Sequence, residues 1–225
     1  MSISSDGYEV VQVMGAALDS IYRAAEDHEK APAMPREVIC ANLRYFQNIV
    51  GMDLHIQSKP YLRIVRPGVV SDNIGYHRDT WYGDSAYEVS VWIPMTDTDE
   101  GSAIRVAPGS HLWPDSKYRL ETYDTGVAKG SELHAKGFPY APKRFVGNIP
   151  MTPVPMRVGQ ILIFPVSLLH GTVENTSNHV RISMDCRVAN SLAPIAISRS
   201  RNPNYYTPLC SAPITALAKQ YEANQ

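Results

Sequence analysis

Gly159-Gln160-Ile161-Leu162-Ile163-Phe164-Pro165, running on to Leu169-His170-Gly171, with Val180-Arg181-Ile182-Ser183 behind it, is the stretch that decides the fold. A brief apolar run bounded by glycine and proline is too short for a helix and reads as a buried strand. The alternating Val180–Ser183 segment reads as a second strand, with Arg181 and Ser183 on one face. Upstream, the same texture begins at about residue 60. Runs rich in β-branched and aromatic residues near Leu62–Val65, Gly75–His77, Tyr87–Ile93 and Ala103–Ala107, then Gly171–Glu174 and Arg181–Val188, are separated by Pro, Gly, Asn and Asp. Short strands at such spacing point to a β-sandwich or open barrel.

The flanks read differently. Val10, Val13, Met14, Ala17, Leu18 and Ile21 recur at three- and four-residue spacing, which predicts a helix. Pro32 and Pro35 interrupt it. Ile39, Leu43, Phe46 and Val50 predict a second helix over Arg36–Val50, stopped by Gly51. Helices first and strands afterwards place the helices on one face of the sheet. The expected organisation is a single domain over residues 1–225, with helical support over 1–58 and a β core over 60–190. A long insert at about 113–155 and a tail over 191–225, with a short helix near Ile214–Tyr221, complete it. The insert lacks clean periodicity, and a loop of that length is usually a lid, a binding loop or a disordered segment. Lys136, Lys143 and Arg144 interleave there with Phe138, Tyr140 and Phe145, a mixture suited to closing over a polar substrate or to an oligomer contact.

Composition narrows the class. A chain of 225 residues can bury a proper core without staples. Its formal net charge of -1 gives no global field for nucleic acid or an acidic membrane surface. Cys40, Cys186 and Cys210 are widely spaced with no CxxC pair, against a disulfide framework or structural zinc and in keeping with a reducing cytoplasm. The start, MSISSDGYEV, shows no secretory pattern. No apolar stretch approaches the roughly 20 residues that span a bilayer.

The chemistry lies in His77-Arg78-Asp79, His170 and Arg181. Two imidazoles and one carboxylate form the facial ligand set of a non-heme Fe(II) centre, which leaves open positions for substrates. At i and i+2 on a strand, His77 and Asp79 point the same way and Arg78 the other. His170 follows an apolar strand and supplies the third ligand. Arg181 carries a guanidinium fork that matches a carboxylate, and the Ser183 hydroxyl adds a further donor. The pair fits the distal carboxylate of 2-oxoglutarate. His28, His55, His134 and His179 read as ordinary polar residues, and His111 as a hydrogen-bonding group beside the pocket.

The Tyr87–Asp97 stretch, Glu100-Gly-Ser-Ala-Ile-Arg-Val-Ala-Pro-Gly-Ser-His111, Gly159–Pro165, Leu169-His170-Gly171, Asn175-Thr-Ser and Arg181-Ile-Ser183 together resemble the phytanoyl-CoA dioxygenase-like family over roughly residues 60 to 190. The resemblance implies a mainly β fold, a double-stranded β-helix (jelly-roll or cupin-like) with the N-terminal helices packed on one sheet. It implies Fe(II) held by His77, Asp79 and His170, 2-oxoglutarate held by Arg181 with Ser183, and O2 as the third reactant. The Trp92 strand and the Pro108–His111 turn would form walls of the site. In halogenating relatives the carboxylate ligand is replaced by a small residue. Asp79 is present here, so hydroxylation with release of succinate and CO2 is expected.

Fold does not fix substrate. Trp81 and Tyr82 directly follow the ligand segment and are candidates to stack on a substrate. Arg78, Arg105 and Arg187, and beside them Arg63, are candidates to meet a substrate anion. The expected partner is a small polar metabolite or a sugar-containing biosynthetic intermediate, with no nucleic acid and no membrane, and a homo-oligomer left open. Within the same chemistry, an acyl-CoA hydroxylase or a desaturating or ring-forming oxygenase is the alternative. From other classes, a cupin-like module that binds without turnover, and a zinc hydrolase, also compete. The hydrolase lacks a general base beyond the ligands themselves.

Overall fold

The computed structural model describes residues 4–27, 29–82, 84–122, 143–194 and 205–225. Nearly half of the expected insert, residues 123–142, lies outside the described residues, as do residues 195–204 of the tail.

In chain order the elements begin with strand β1 (Glu9–Gln12) and helices α1 (Ala16–Glu26), α2 (Met34–Ala41) and α3 (Leu43–Val50). Strands β2 (Leu54–Gln57), β3 (Tyr61–Val65), β4 (Glu88–Pro94) and β5 (Arg105–Val106) follow, then the hairpin strands β6 (Leu120–Thr122) and β7 (Lys143–Phe145). The rest of the barrel is β8 (Thr152–Pro153), β9 (Gln160–Pro165), β10 (His170–Gly171), β11 (Arg181–Asn190) and β12 (Tyr206–Cys210), closed by helix α4 (Pro213–Ala223).

Among the described residues these strands form a seven-stranded antiparallel sheet in the order β1-β9-β4-β11-β2-β12, with β3 also pairing β11, and a smaller sheet β10-β5-β8. The fold is therefore mainly β, with helices on the outer face of the large sheet. The period-2 pattern explains both faces. Val91, Ile93, Ile161, Ile163, Cys186 and Val188 point outward and are buried with Val13, Ala17, Ile21, Val38, Ile39 and Phe46 from the segments that cover the sheet. Trp92, Leu162 and Phe164 point inward and meet Ile104, Val106, Val154 and Met156.

Three local readings are corrected. Val10 to Val13 does not open a helix: β1 pairs β9 with Glu9 opposite Ile163 and Gln12 opposite Gln160, and the helix starts after Gly15. Two β-branched residues in a row favour the strand, and Gly15, at φ 57, turns the chain into α1. Pro35 does not break a helix but sits in the first turn of α2, where its missing N–H costs nothing. The single helix expected over Arg36–Val50 is two, parted at Asn42, whose side-chain amide donates to the Val38 carbonyl at 2.9 Å. Gly51, at φ 123, does end the second. No described helix is long and apolar enough to cross a membrane.

Candidate metal centre

The site lies between the two sheets. His77 is not on a strand of its own but in an isolated antiparallel bridge with His170. His77 N–H donates to the His170 carbonyl at 2.8 Å, and His170 N–H returns a bond to the His77 carbonyl at 2.9 Å. Residues opposite each other in such a pair project side chains to the same face. The two rings consequently sit 4.5 Å apart. Beyond His77 the expected strand gives way to a 3-10 turn at Asp79–Tyr82, pinned by Asp79 N–H to the Val166 carbonyl at 3.0 Å. It is this turn, and not the strand alternation expected from His-x-Asp, that brings the carboxylate round to the histidines.

Gly171 is needed for this bridge. A Cβ there would fall 2.3 Å from the Gly75 carbonyl oxygen, a backbone atom that cannot swing away. His77, Asp79 and His170 are all buried, and one ligating atom from each lies within 4.8 Å of the others. Asp79 Oδ1 is 3.5 Å from His77 Nε2 and 3.8 Å from His170 Nε2. Each ring has Nδ1 at 2.9 Å from a backbone carbonyl, that of Gly75 for His77 and of Leu168 for His170. A carbonyl only accepts, so Nδ1 carries a proton in both rings and Nε2 is the atom turned to Asp79 Oδ1. This is the tautomer a metal ligand needs. Burial pushes the His170 pKa down to about 4 against the pull of Asp79, which keeps that ring neutral at pH 7. Burial alone would raise the Asp79 carboxyl, but Arg187, then His170 and His77, hold it well below the ordinary carboxylate range.

Arg181, Ser183, Asp185 and Arg187 alternate along β11 and turn inward from the core-facing Ile182, Met184, Cys186 and Val188. Arg181 is 2% exposed, with its Cζ 5.8 Å from the Trp92 ring centre. Its Nε and one terminal nitrogen, and the Ser183 Oγ, are buried without a hydrogen-bond partner. Burial, and after it Arg63, lower the Arg181 pKa to about 10. Buried donors of this kind mark a place for a ligand acceptor. One cavity is lined by His77, His170, Trp92, Phe164, Ile104 and Arg181 together. Convergent lone pairs at one part of it and unpaired donors at another fit a divalent cation and an anionic co-substrate.

The other candidates part company. Arg187 does line the cavity, but each guanidinium nitrogen is committed: to Asp79 Oδ2 at 3.0 Å, Asp185 Oδ2 at 3.0 Å and Asp84 Oδ2 at 3.4 Å. Burial works against its charge, yet these three carboxylates hold its pKa well above the ordinary value. Arg63 also lines the cavity and pairs with Asp185 at 3.0 Å. Arg78 is buried but outside the cavity. It donates to Asp115 at 2.9 Å, to the Ser110 and Trp113 carbonyls and to the Tyr118 hydroxyl at 2.6 Å. Those contacts staple residues 110–118 to the ligand segment and leave no fork for a substrate anion.

Trp81 joins the same cluster, with Nε1 donating to Asp115 at 3.2 Å and its ring 5.5 Å from Tyr118. Arg105 pairs opposite Gly171 and reaches the Glu100 carbonyl at 3.1 Å, also away from the cavity. Tyr82 stands beside the centre, its ring 5.0 Å from that of His77. His111 lies against Gly7 and not on the cavity wall.

Sequence reasoning missed Ser90 and Asp84. Ser90 precedes Trp92 by two on β4, so its inward direction was readable. Asp84 lies in a turn region and carried no such signal. Asp185 was equally readable, from its parity with Arg181 and Arg187.

The sequence profile of the phytanoyl-CoA dioxygenase family matches residues 16–183. Curated proteins yield no significant sequence match. Among solved structures, the epimerase SnoN in complex with Fe3+, α-ketoglutarate and nogalamycin RO superposes with a TM-score of 0.59 at 16% identity, over 86% of this chain and 83% of that one. The non-heme α-ketoglutarate-dependent carbocyclase SnoK from nogalamycin biosynthesis gives 0.58 at 16% identity, over 92% and 90%. AviO1 from Streptomyces viridochromogenes Tue57 gives 0.55 at 19% identity, over 85% and 93%. These likenesses establish the jelly-roll fold. The profile match covers most of the chain, and with the His-Asp-His cluster in place the protein belongs to the phytanoyl-CoA dioxygenase family, as an enzyme that works with Fe(II), 2-oxoglutarate and O2.

Proposed function

We propose that this oxygenase hydroxylates an unactivated C–H bond of a small polar metabolite or a sugar-containing biosynthetic intermediate. His77, Asp79 and His170 are the iron ligands in this reading, and Arg181 with Ser183 receives the distal carboxylate of 2-oxoglutarate. The observation that carries it is the buried Arg181 guanidinium, two of its nitrogens without a hydrogen-bond partner, on the wall of the cavity that His77 and His170 also line. A zinc hydrolase or a passive metal module has no use for a buried cation held at an energetic loss, whereas a dicarboxylate co-substrate discharges it.

When bound, Fe(II) with 2-oxoglutarate and O2 supplies the oxidant, and succinate and CO2 leave. The chain's own part is positional. The Nδ1 bonds to Gly75 and Leu168 fix the two imidazoles. Trp92, Ile104 and Phe164 exclude water from the cavity. Tyr82, beside His77, is the residue we assign to the substrate side. The retained Asp79 supports hydroxylation over halide chemistry. Fold neighbours that act in nogalamycin biosynthesis, an epimerase and a carbocyclase, support a biosynthetic intermediate as the substrate.

The test is succinate release from 2-oxoglutarate by anaerobically iron-loaded protein on admission of O2, across panels of sugars, amino acids and acyl-CoAs, with His170→Ala as control. Succinate that needs His170 and rises with a polar or glycosylated panel supports the reading. A rise only with acyl-CoAs replaces the substrate class. Metal binding with no 2-oxoglutarate binding overturns the enzyme assignment for this site.

A further inference from the structure

The two oxygens of Asp79 are not alike. Oδ1 faces His77 Nε2 and His170 Nε2 at 3.5 and 3.8 Å. Oδ2 instead accepts from Ser90 Oγ at 2.8 Å and is ion-paired with an Arg187 terminal nitrogen at 3.0 Å. Neither donor is free to leave. Ser90 is 1% exposed in the middle of β4. The other two nitrogens of Arg187 are held by Asp185 and Asp84, and Asp185 is itself held by Arg63 at 3.0 Å. The carboxylate is therefore clamped from behind by a buried charge network that reaches across β11, β3 and the 84–90 segment.

An aspartate can grip a cation through one oxygen or through both. Two-oxygen grip here would fill a coordination place that a chelating co-substrate requires, since the facial ligand set works by leaving positions open. With Oδ2 bound to the Ser90 hydroxyl and facing the Arg187 cation, a second cation is repelled from that oxygen, and Oδ1 is the one left to ligate a metal. We infer that Arg187 and Ser90 are positioning residues that restrict Asp79 to ligation through Oδ1, and so hold open the place that 2-oxoglutarate takes. The inference rests on the assignment of His77, Asp79 and His170 as ligands. It also gives Arg187 a role other than the substrate contact expected from sequence.

Two variants test it. Ser90→Ala removes one donor and little volume. Arg187→Lys keeps the charge but loses the planar fork whose three nitrogens each meet a separate carboxylate. Co(II) is the probe, because its visible absorption reports coordination number without turnover. Each folded variant is titrated anaerobically with Co(II), and its Co(II) form is then titrated with 2-oxoglutarate by calorimetry.

The expected result is a split. Co(II) binds Ser90→Ala at least as tightly as the parent, its absorption changes before any co-substrate is added, and 2-oxoglutarate affinity falls by about ten-fold, in the range that partners of ligating groups control. Arg187→Lys moves the same way and further. A merely structural role would lower thermal stability without splitting the two affinities. If Ser90→Ala leaves both the Co(II) spectrum and 2-oxoglutarate affinity unchanged, the inference is overturned, and that variant decides the matter even where Arg187→Lys fails to fold. If parent protein binds Co(II) equally well after His170→Ala, the ligand assignment itself falls and carries the inference with it.

Discussion

Arg181→Met is predicted to make the ligand-free protein more stable while abolishing its response to 2-oxoglutarate. Arg181 is buried, two of its guanidinium nitrogens have no partner, and burial followed by Arg63 lowers its pKa to about 10. A fall of that size from the ordinary arginine value corresponds to about 3 kcal/mol of charge held at a loss. For a cation whose folded pKa is depressed, the folded state disfavours the proton. The loss is present in full at pH 7 and fades only as pH rises above about 10. Methionine fills similar space without a charge. The attraction to Asp185 is already contained in that figure; once the change in packing is set against it, a net gain of about 1–3 kcal/mol is expected, or roughly 2–4 °C in Tm per kcal/mol for a chain of this size.

Binding moves the other way. Two charge-assisted hydrogen bonds to a carboxylate, at about 1.5–3 kcal/mol each, correspond to a loss of roughly 100- to 10,000-fold in co-substrate affinity. Scanning calorimetry of the metal-free protein, and anaerobic calorimetric titration of 2-oxoglutarate into the metal-loaded form, read the two effects separately. A ligand-free variant less stable than the parent, or one that binds 2-oxoglutarate within ten-fold of it, would refute the reasoning.

Three further outcomes are expected. Because the His170 pKa is about 4 in the folded protein, the unfolded chain takes up a proton below its ordinary histidine value while the folded one does not. The metal-free protein should thus lose about 3 kcal/mol between pH 6.5 and 4, as read by urea titration across pH, and a flat profile would contradict the burial argument. Gly171→Ala forces the Gly75–Tyr76 backbone away and separates His77 from His170, so metal affinity measured by competition with a chelator should fall by at least about ten-fold; unchanged affinity would show that the bridge can give. Arg78→Met removes the donor to the Trp113 carbonyl and one of the donors to the Ser110 carbonyl, and should cost about 1–3 kcal/mol in chemical denaturation; no measurable cost would mean that the 110–118 segment does not depend on the staple.

Much of this site was legible because strand parity is a hard rule. His77, Asp79, His170, Arg181 and Ser183 were picked by residue type and spacing; the structure clusters the first three and sets Arg181 on the wall of the cavity that the two histidines line. The mechanism of gathering was less legible. Alternation on a strand was expected to align His77 with Asp79, but the chain enters a 3-10 turn there, and a backbone bond to Val166, far away in sequence, decides the geometry. Long-range partners also decided the arginines. Nothing near Arg78 in sequence announces Asp115, and nothing near Arg187 announces Asp79 and Asp84. A strand arginine reads as exposed by default, and only tertiary packing shows that four acceptors or three carboxylates surround it. The helix errors have the same origin. Val10–Val13 fits both periods, and the free edge of β9 settles the matter.

Strand β11 ties these observations into one constraint. Its sequence Arg-Ile-Ser-Met-Asp-Cys-Arg-Val alternates polar and apolar residues without a break, and both faces are buried. Arg181, Asp185 and Arg187 line the cavity, with Ser183 on the same face of the strand, while Ile182, Met184, Cys186 and Val188 face the helices. A slip of one residue would drive four polar groups, three of them charged, into the helical core and leave Asp79 without Arg187 and the cavity wall without Arg181. Register along β11 is fixed on both sides, by Ser183 opposite Pro94 through Ala189 opposite Glu88 on β4, and by Arg181 opposite Val65 through Asp185 opposite Tyr61 on β3. The alternation that specifies the fold is thus the same one that specifies the chemistry. This is why Arg63, Asp185 and Arg187 can hold a buried charge network that an isolated strand could not keep.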